Sequence, residues 1–147
     1  MNQIIKKVSV SLMALMMATM TAPAGTNAAK STKTSGFNWN PVMDAIIQVE
    51  SEGNPNAVSG NSVGAMQITP ILVKDCNEIL KKQKSKKRFT MADRYSVAKS
   101  KEMFLLIQSH YNPENSIEKA IRSWNGGVRY SVRATNKYFQ KVMANMK

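Results

Sequence analysis

Residues 46–59 read Ile-Ile-Gln-Val-Glu-Ser-Glu-Gly-Asn-Pro-Asn-Ala-Val-Ser, and residues 64–70 follow with Gly-Ala-Met-Gln-Ile-Thr-Pro. The first stretch begins as a helix and must stop near Gly53, because the Gly-Asn-Pro-Asn sequence cannot continue one. Ahead of that stop, apolar side chains recur at helical spacing, at Val42, Ile46 and Val49. The pattern predicts an amphipathic helix that carries Glu50 in its last turn and leads into a polar loop.

The rest of the chain has further signals of capped, amphipathic helices. Helix starts are predicted at five places: Asn40-Pro41, Thr69-Pro70, Thr90 to Asp93, Ser116 and about Thr135. The side chains expected to face inward after the first helix are Leu72, Cys76, Ile79 and Leu80, then Val97, Phe104 and Ile107, then Ile117, Ala120, Ile121 and Trp124, and finally Tyr138, Val142 and Met143. We find no convincing strand pattern, internal repeat or His-Glu-x-x-His metal spacing. The predicted fold class is all-α.

The first 28 residues have the composition of a secretory signal peptide, with two early lysines, an apolar run at 8–20 and small residues at the end. Cleavage is expected in the region of Ala28, with Ala24 and Ala29 as alternatives. An uncleaved membrane anchor is disfavoured, because the apolar run falls short of the roughly 20 residues that span a bilayer. We predict export to the periplasm or cell envelope and three segments: signal peptide 1–28, flexible linker 29–36 and a single domain 37–147.

The chain is strongly basic, with 21 Lys and Arg residues against 9 Asp and Glu residues and a formal net charge of +12. Loss of the two signal-peptide lysines lowers this charge from +12 to +10, and six of the remaining positive charges fall between Lys81 and Arg88. Such a charge indicates an anionic partner: nucleic acid, an anionic membrane or a polymer such as the cell wall. The export signal argues against nucleic acid. Cys76 is the only cysteine, so no intrachain disulfide can form.

Together with Ala120-Ile121-Arg122-Ser123-Trp124-Asn125-Gly126-Gly127, the two opening stretches resemble the motifs of the soluble lytic transglycosylase (SLT) domain family. This lysozyme-like family is related to goose-type lysozyme. Its pattern is Glu-Ser before an Asn-Pro turn, then Gly-x-Met-Gln-Ile-x-Pro, then Ala-Tyr-Asn-x-Gly, with Trp124 here in the Tyr position. The resemblance implies a single lysozyme-like helical domain that cleaves peptidoglycan strands without a metal or other cofactor.

Glu50 is the predicted catalytic acid. The negative end of the helix dipole and nearby apolar groups should raise the pKa of a carboxyl group there, as a general acid requires. Glu52 lies about 200 degrees further around the helix and is expected to face solvent. The resemblance implies a set of substrate-binding residues: Ser59, Met66, Gln67, Trp124 and Asn125.

The resemblance also implies the reaction. Goose-type lysozymes carry aspartates at places that fall near Val58 and on Thr69, and neither is acidic here. A lytic transglycosylase is therefore expected, in which the substrate's acetamido group assists Glu50 and the muramic acid 6-hydroxyl closes a 1,6-anhydro ring. Asp75 and Asp93 are alternative second carboxylates. The rival functions are a hydrolytic muramidase on the same fold and a non-catalytic wall-binding or assembly subunit. An envelope-spanning secretion or conjugation machinery is a candidate partner.

The middle segment departs from the family pattern. Where the family commonly has Asn-Ile-x-x-Gly and a following Tyr, this sequence has Ser96, Ser100 and Met103. The aromatic side chain that often lies beside the catalytic glutamate is therefore expected from elsewhere, with Tyr95 and Tyr111 as candidates. His110, the only histidine, has no Ser or Cys partner suggested by a motif and is expected to be structural.

Overall fold

The computed structural model describes residues 36–147, so the predicted signal peptide and nearly all of the predicted linker lie outside the described residues. Within that part of the chain, five α-helices form the domain, with one short hairpin and one 3-10 helix. The elements are α1 Asn40–Ser51, β1 Val58–Ser59, β2 Ser62–Val63, α2 Pro70–Lys82, the 3-10 helix Ala92–Tyr95, α3 Val97–Tyr111, α4 Ile117–Gly126 and α5 Val132–Asn145. The all-α prediction is confirmed.

The start of α1 differs from the prediction by one residue. Asn40 is the first residue of the helix instead of its cap, and Trp39 precedes it without a capping hydrogen bond from its side chain. The Oδ1 atom of Asn38 accepts the Asn40 N–H at 3.1 Å, so the capping amide comes from two residues earlier. Trp39 is buried and its ring packs edge-on against Phe104, which anchors the helix start in the core.

Local side-chain caps explain most of the other helix starts. The predicted caps at Thr69 and Ser116 are confirmed, since each hydroxyl accepts the N–H three residues on. Two predicted starts are wrong. Asp93 does accept the Thr90 N–H at 2.7 Å, but this contact begins only the 3-10 helix, and α3 starts after a cap at Ser96. Helix α5 starts after Ser131, whose hydroxyl accepts a backbone N–H.

One hydrophobic core is built from the inner faces of all five helices. Its fully buried members include Val42, Ile46, Val73, Cys76, Met103, Phe104, Ala120, Ile121 and Val142. The predicted inward positions of Val97 and Met143 are wrong, because these side chains are 36% and 40% exposed. Adjacent helical residues point about 100 degrees apart, so the burial of Val142 turns Met143 outward. Among residues 36–147, no helix combines the length and apolar character needed to cross a membrane.

The hairpin was not predicted from the sequence. Val58 pairs with Val63 and Ser59 with Ser62, and Val63 forms a further bridge to Ile68. Strands of two residues are too short to produce a visible alternation of polar and apolar side chains. The hairpin holds the loop between α1 and α2 in a defined shape.

Gly64 fixes the hairpin against the 3-10 helix. Its φ of +81° lies in the left-handed region, and a Cβ atom there would come within 1.9 Å of the carbonyl oxygen of Arg94. The Arg94 guanidinium in turn donates to the carbonyl oxygens of Asn61 and Ile68, at 3.1 and 3.3 Å. The close approach of Gly64 to the Arg94 backbone and these two hydrogen bonds therefore hold the hairpin against the 3-10 helix.

Candidate active site

Glu50 lies in the last turn of α1, as predicted, and is partly buried. Its Oε1 atom accepts a hydrogen bond from the Tyr138 hydroxyl at 2.7 Å. Burial raises the pKa of Glu50 above its ordinary value, and the Tyr138 hydrogen bond acts in the opposite direction with the smaller effect. Burial therefore favours the protonated carboxyl group, and the Tyr138 hydroxyl can stabilise the carboxylate that forms when the proton leaves.

The residues that follow Glu50 attach the end of the helix to the loop. The Ser51 hydroxyl donates to the carbonyl oxygen of Ala65 at 2.8 Å, across fourteen positions of the sequence. Glu52 takes a left-handed conformation with a φ of +54° and ends the helix. Its side chain is exposed, which confirms the predicted solvent-facing position.

A cavity of about 240 Å³, here called the catalytic cleft after the role predicted for Glu50, opens beside that residue. Its lining comes from α1, the hairpin, the start of α2 and the end of α4: Glu50, Ser59, Ser62, Gln67, Thr69, Leu72, Trp124 and Asn125. Five of the six predicted site residues therefore come together here. The lining is mostly polar, which suits the hydroxyl and amide groups of an amino sugar.

Met66 is the exception among the predicted site residues. Its side chain is 0% exposed and belongs to the hydrophobic core, so the prediction that it contacts substrate is not supported. The next residue, Gln67, has a φ of +50°, and this left-handed turn sends Met66 inward and Gln67 to the cleft. The Met66 carbonyl oxygen still shapes the site, because it accepts the indole N–H of Trp124 at 3.2 Å.

Gln67 braces the loop as well as lining the cleft. Its side-chain amide nitrogen donates to the carbonyl oxygens of Gly64 at 2.9 Å and Ala57 at 3.2 Å. These contacts join the two sides of the loop that carries Ser59. The amide group thus holds the hairpin hydroxyls in place.

Trp124 forms one wall of the cleft. Its ring packs against Phe104 with the ring centroids 5.2 Å apart, and its indole N–H is held by the Met66 carbonyl. The partly exposed side chain borders the catalytic cleft on one side and a second cavity on the other. Such a fixed aromatic ring can pack against the apolar face of a sugar.

Tyr138 is the aromatic neighbour of Glu50 that the sequence did not reveal. The expected aromatic partners of Glu50 were Tyr95 and Tyr111, and both are wrong. Tyr95 is 42% exposed on the 3-10 helix, and the Tyr111 hydroxyl donates to Asp75 at 3.0 Å. Sequence periodicity predicted only that Tyr138 faces inward, whereas its partner lies 88 residues earlier in the chain.

Helix α5 brings Tyr138 to the site, and a buried arginine on α4 holds that helix. The Arg122 guanidinium donates to the Glu118 carboxylate at 2.7 Å and to the Val132 carbonyl oxygen at 3.0 Å. It also lies over the Phe139 ring, 4.3 Å from the ring centroid. The contacts with Val132 and Phe139 hold the N-terminal part of α5, from which Tyr138 projects toward Glu50.

Neither alternative second carboxylate lies in the catalytic cleft. Asp93 stands at the start of the 3-10 helix, and Asp75 lines the second cavity. Among residues 36–147, Glu50 is the one carboxylate in the lining of the cleft. In the same part of the chain, no three His, Cys, Asp or Glu side chains are close enough together to hold a metal ion.

The residues that depart from the family pattern in the middle segment have structural contacts. Ser96 caps α3, and the buried Ser100 hydroxyl donates to the Arg94 carbonyl oxygen at 3.2 Å. Met103 is fully buried in the core. His110 lies at the end of α3, where its ring contacts Tyr111 edge-on at 4.6 Å, outside the lining of the cleft.

The family follows from comparison with known proteins. The sequence model of the transglycosylase SLT domain matches residues 26–146, so the chain belongs to the SLT domain family. No curated protein and no solved structure gives a significant match. Membership of this family indicates a transglycosylase-type activity on the glycan strands of peptidoglycan.

Proposed function

We propose that this protein is an exported lytic transglycosylase. It cleaves the β-1,4 bond between N-acetylmuramic acid and N-acetylglucosamine and releases a 1,6-anhydromuramic product. The observation that carries the proposal is a single, partly buried carboxyl group, Glu50, in a polar cleft of an SLT domain.

Glu50 acts first as the general acid. Because burial raises its pKa, the protonated form persists to higher pH than that of an ordinary glutamate and can donate its proton to the glycosidic oxygen as the C1–O bond breaks. The leaving sugar departs with that proton. Glu50 becomes a carboxylate, and the Tyr138 hydroxyl at 2.7 Å stabilises the new charge.

The substrate supplies the group that a second carboxylate supplies in other glycosidases. The carbonyl oxygen of the muramic acid acetamido group bonds to C1 and disperses the positive charge that develops there. The Glu50 carboxylate then takes the proton of the 6-hydroxyl, O6 bonds to C1 and the acetamido oxygen is released. No water is consumed, and Glu50 regains its proton for the next cycle.

The cleft offers polar groups for the acetamido sugar. Ser59 and Ser62 face each other as a cross-strand pair of the hairpin, and both line the cleft with Asn125. We assign to Ser59 the role of orienting the acetamido group. Trp124 supplies an apolar face for the ring.

Mass spectrometry of digested peptidoglycan tests the proposed function. The protein should release products lighter by one water than hydrolysis products. Glu50→Gln should lower the rate on the order of a hundredfold or more, because an amide cannot donate the acid proton. Glu52→Gln, which removes an exposed carboxylate two residues away, is the matched control and should retain activity.

The other outcomes identify the rival functions. Products that have gained a water would show a muramidase on the same fold. Binding to peptidoglycan without any cleavage would show a wall-binding or assembly subunit. Export is tested separately, by locating the protein in the cell envelope and sequencing its mature N-terminus, which we expect near residue 29.

A further inference from the structure

A second cavity of about 370 Å³, here called the side pocket, adjoins the catalytic cleft. The two cavities share four lining residues: Thr69, Leu72, Trp124 and Asn125. A ligand bound in the cleft can therefore extend into the side pocket around the edge of the indole ring. The proposed reaction leaves this space unused.

The exposed surface of the side pocket is mostly apolar, although polar side chains also line it. Ile71, Leu72, Ile107 and Val128 contribute side chains from α2, α3 and the turn after α4. Ile71 is 76% exposed and Val128 is 56% exposed, so apolar surface at this site is open to solvent. An aliphatic chain would bury this apolar surface favourably.

Asp75 places one negative charge in this apolar pocket. Its carboxylate accepts the Tyr111 hydroxyl at 3.0 Å. Among the described residues, no Lys, Arg or His forms an ion pair with Asp75. The basic side chain in the lining, Lys119, is paired with Glu114 at 2.7 Å. The combination of aliphatic walls and an anionic group suits an aliphatic amine.

We propose that the side pocket binds the stem peptide of the substrate and that Asp75 binds the ammonium group of its diamino acid. This inference rests on the proposed function, because peptidoglycan carries its stem peptide on the lactyl group of muramic acid, next to the bond cleaved. Cross-linking converts that amine into a neutral amide. The protein should therefore prefer stems that keep the free amine.

The first test uses the unmodified protein and two matched substrates. One is uncross-linked glycan strands whose stem peptides carry free amines, and the other is the same strands after N-acetylation of those amines. Since Asp75 is partly exposed, we expect acetylation to lower kcat/KM by about fivefold to tenfold. Equal kcat/KM values for the two substrates would overturn the proposal.

A pair of variants on α2 assigns this preference to Asp75. Asp75→Asn keeps the size of the side chain and an acceptor for the Tyr111 hydroxyl but removes the charge. Glu78→Gln removes an exposed charge one turn further along the same helix. Asp75→Asn should abolish the discrimination between free and acetylated amines, and Glu78→Gln should retain it. Discrimination that survives Asp75→Asn would refute the role of this residue.

A binding measurement separates this proposal from the proposed function. The probe is a disaccharide with its stem peptide, with either a free or an acetylated amine, titrated into the protein by calorimetry. Amine-dependent binding of this probe, together with no cleavage of the glycan strands of the first test, would support the side pocket and refute the transglycosylase activity. Cleavage of the strands with no amine dependence in either assay would support the transglycosylase activity and refute the role of the side pocket.

Discussion

Tyr138→Phe removes one oxygen atom beside Glu50 and leaves the aromatic ring in place. The lost contact is the 2.7 Å hydrogen bond from the Tyr138 hydroxyl to Oε1 of Glu50. Because this bond favours the ionised carboxyl group, its removal should raise the pKa of Glu50 further above its ordinary value. Tyr95→Phe is the matched control, since that hydroxyl lies on the 3-10 helix and outside the lining of the cleft.

The size of the effect follows from the type of bond. A hydrogen bond to a charged group contributes about 1.5–3 kcal/mol, more than one between neutral groups. The bond gains strength as Glu50 gives up its proton, so it acts mainly in the transition state of that step. Because Glu50 is only partly buried, the lower end of this range applies. We therefore expect kcat to fall roughly tenfold.

The assay is the rate of peptidoglycan cleavage as a function of pH. Activity requires protonated Glu50, so it is lost as pH rises through the pKa of this group. In Tyr138→Phe the alkaline limb of the profile should lie at higher pH than in the wild type, while the maximal rate is lower. An unchanged profile at an unchanged rate, or an alkaline limb at lower pH, would refute this account of the pair.

Four further predictions concern Glu50, the hairpin and the basic segment of residues 81–86, which comprises the end of α2 and the chain that follows it. Glu50→Gln should raise Tm at neutral pH. Burial raises the folded-state pKa of Glu50, which means that the ionised side chain destabilises the folded protein. The gain should vanish below about pH 4.5, where the glutamate is protonated in both the folded and the unfolded state. A Tm difference that does not change with pH would contradict this. Ser59→Ala should lower kcat a few-fold to tenfold with little change in KM, as expected for one hydrogen bond made mainly in the transition state. A raised KM at unchanged kcat would show that the hydroxyl only binds the sugar. Ser62→Ala, at the paired position of the hairpin, is measured in the same assay. Gly64→Ala should lower Tm, since its Cβ would meet the Arg94 carbonyl oxygen at 1.9 Å, and a Tm equal to that of the wild type would show that the hairpin can move away. Replacing the exposed lysines of residues 81–86 with Gln should weaken binding to intact wall at low salt, while turnover of short neutral fragments stays unchanged. Equal losses on both substrates would indicate that this segment shapes the active site.

The sequence by itself determined the helices and the place of Glu50, the proposed catalytic acid. The caps at Thr69 and Ser116 bond to N–H groups three residues on, so the information lies within one turn. The position of Glu50 before the Gly-Asn-Pro-Asn stop follows in the same way from local backbone preferences. Motif spacing also correctly predicted that Ser59 and Gln67 lie in the loop between α1 and α2, because this loop begins only a few residues after Glu50.

Only the tertiary structure decided what surrounds Glu50. Its partner Tyr138 is 88 residues away, and the contact depends on how α5 packs against α1 and on the Arg122 contacts that hold α5 to α4. Periodicity specifies which side chains face inward but not which of them meet. The burial of Met66 goes with a left-handed turn at Gln67, whose side chain bonds to Ala57 and Gly64 across the folded loop. The side pocket likewise exists only where α2, α3 and α4 converge, since its charge and its aliphatic walls come from separate parts of the sequence.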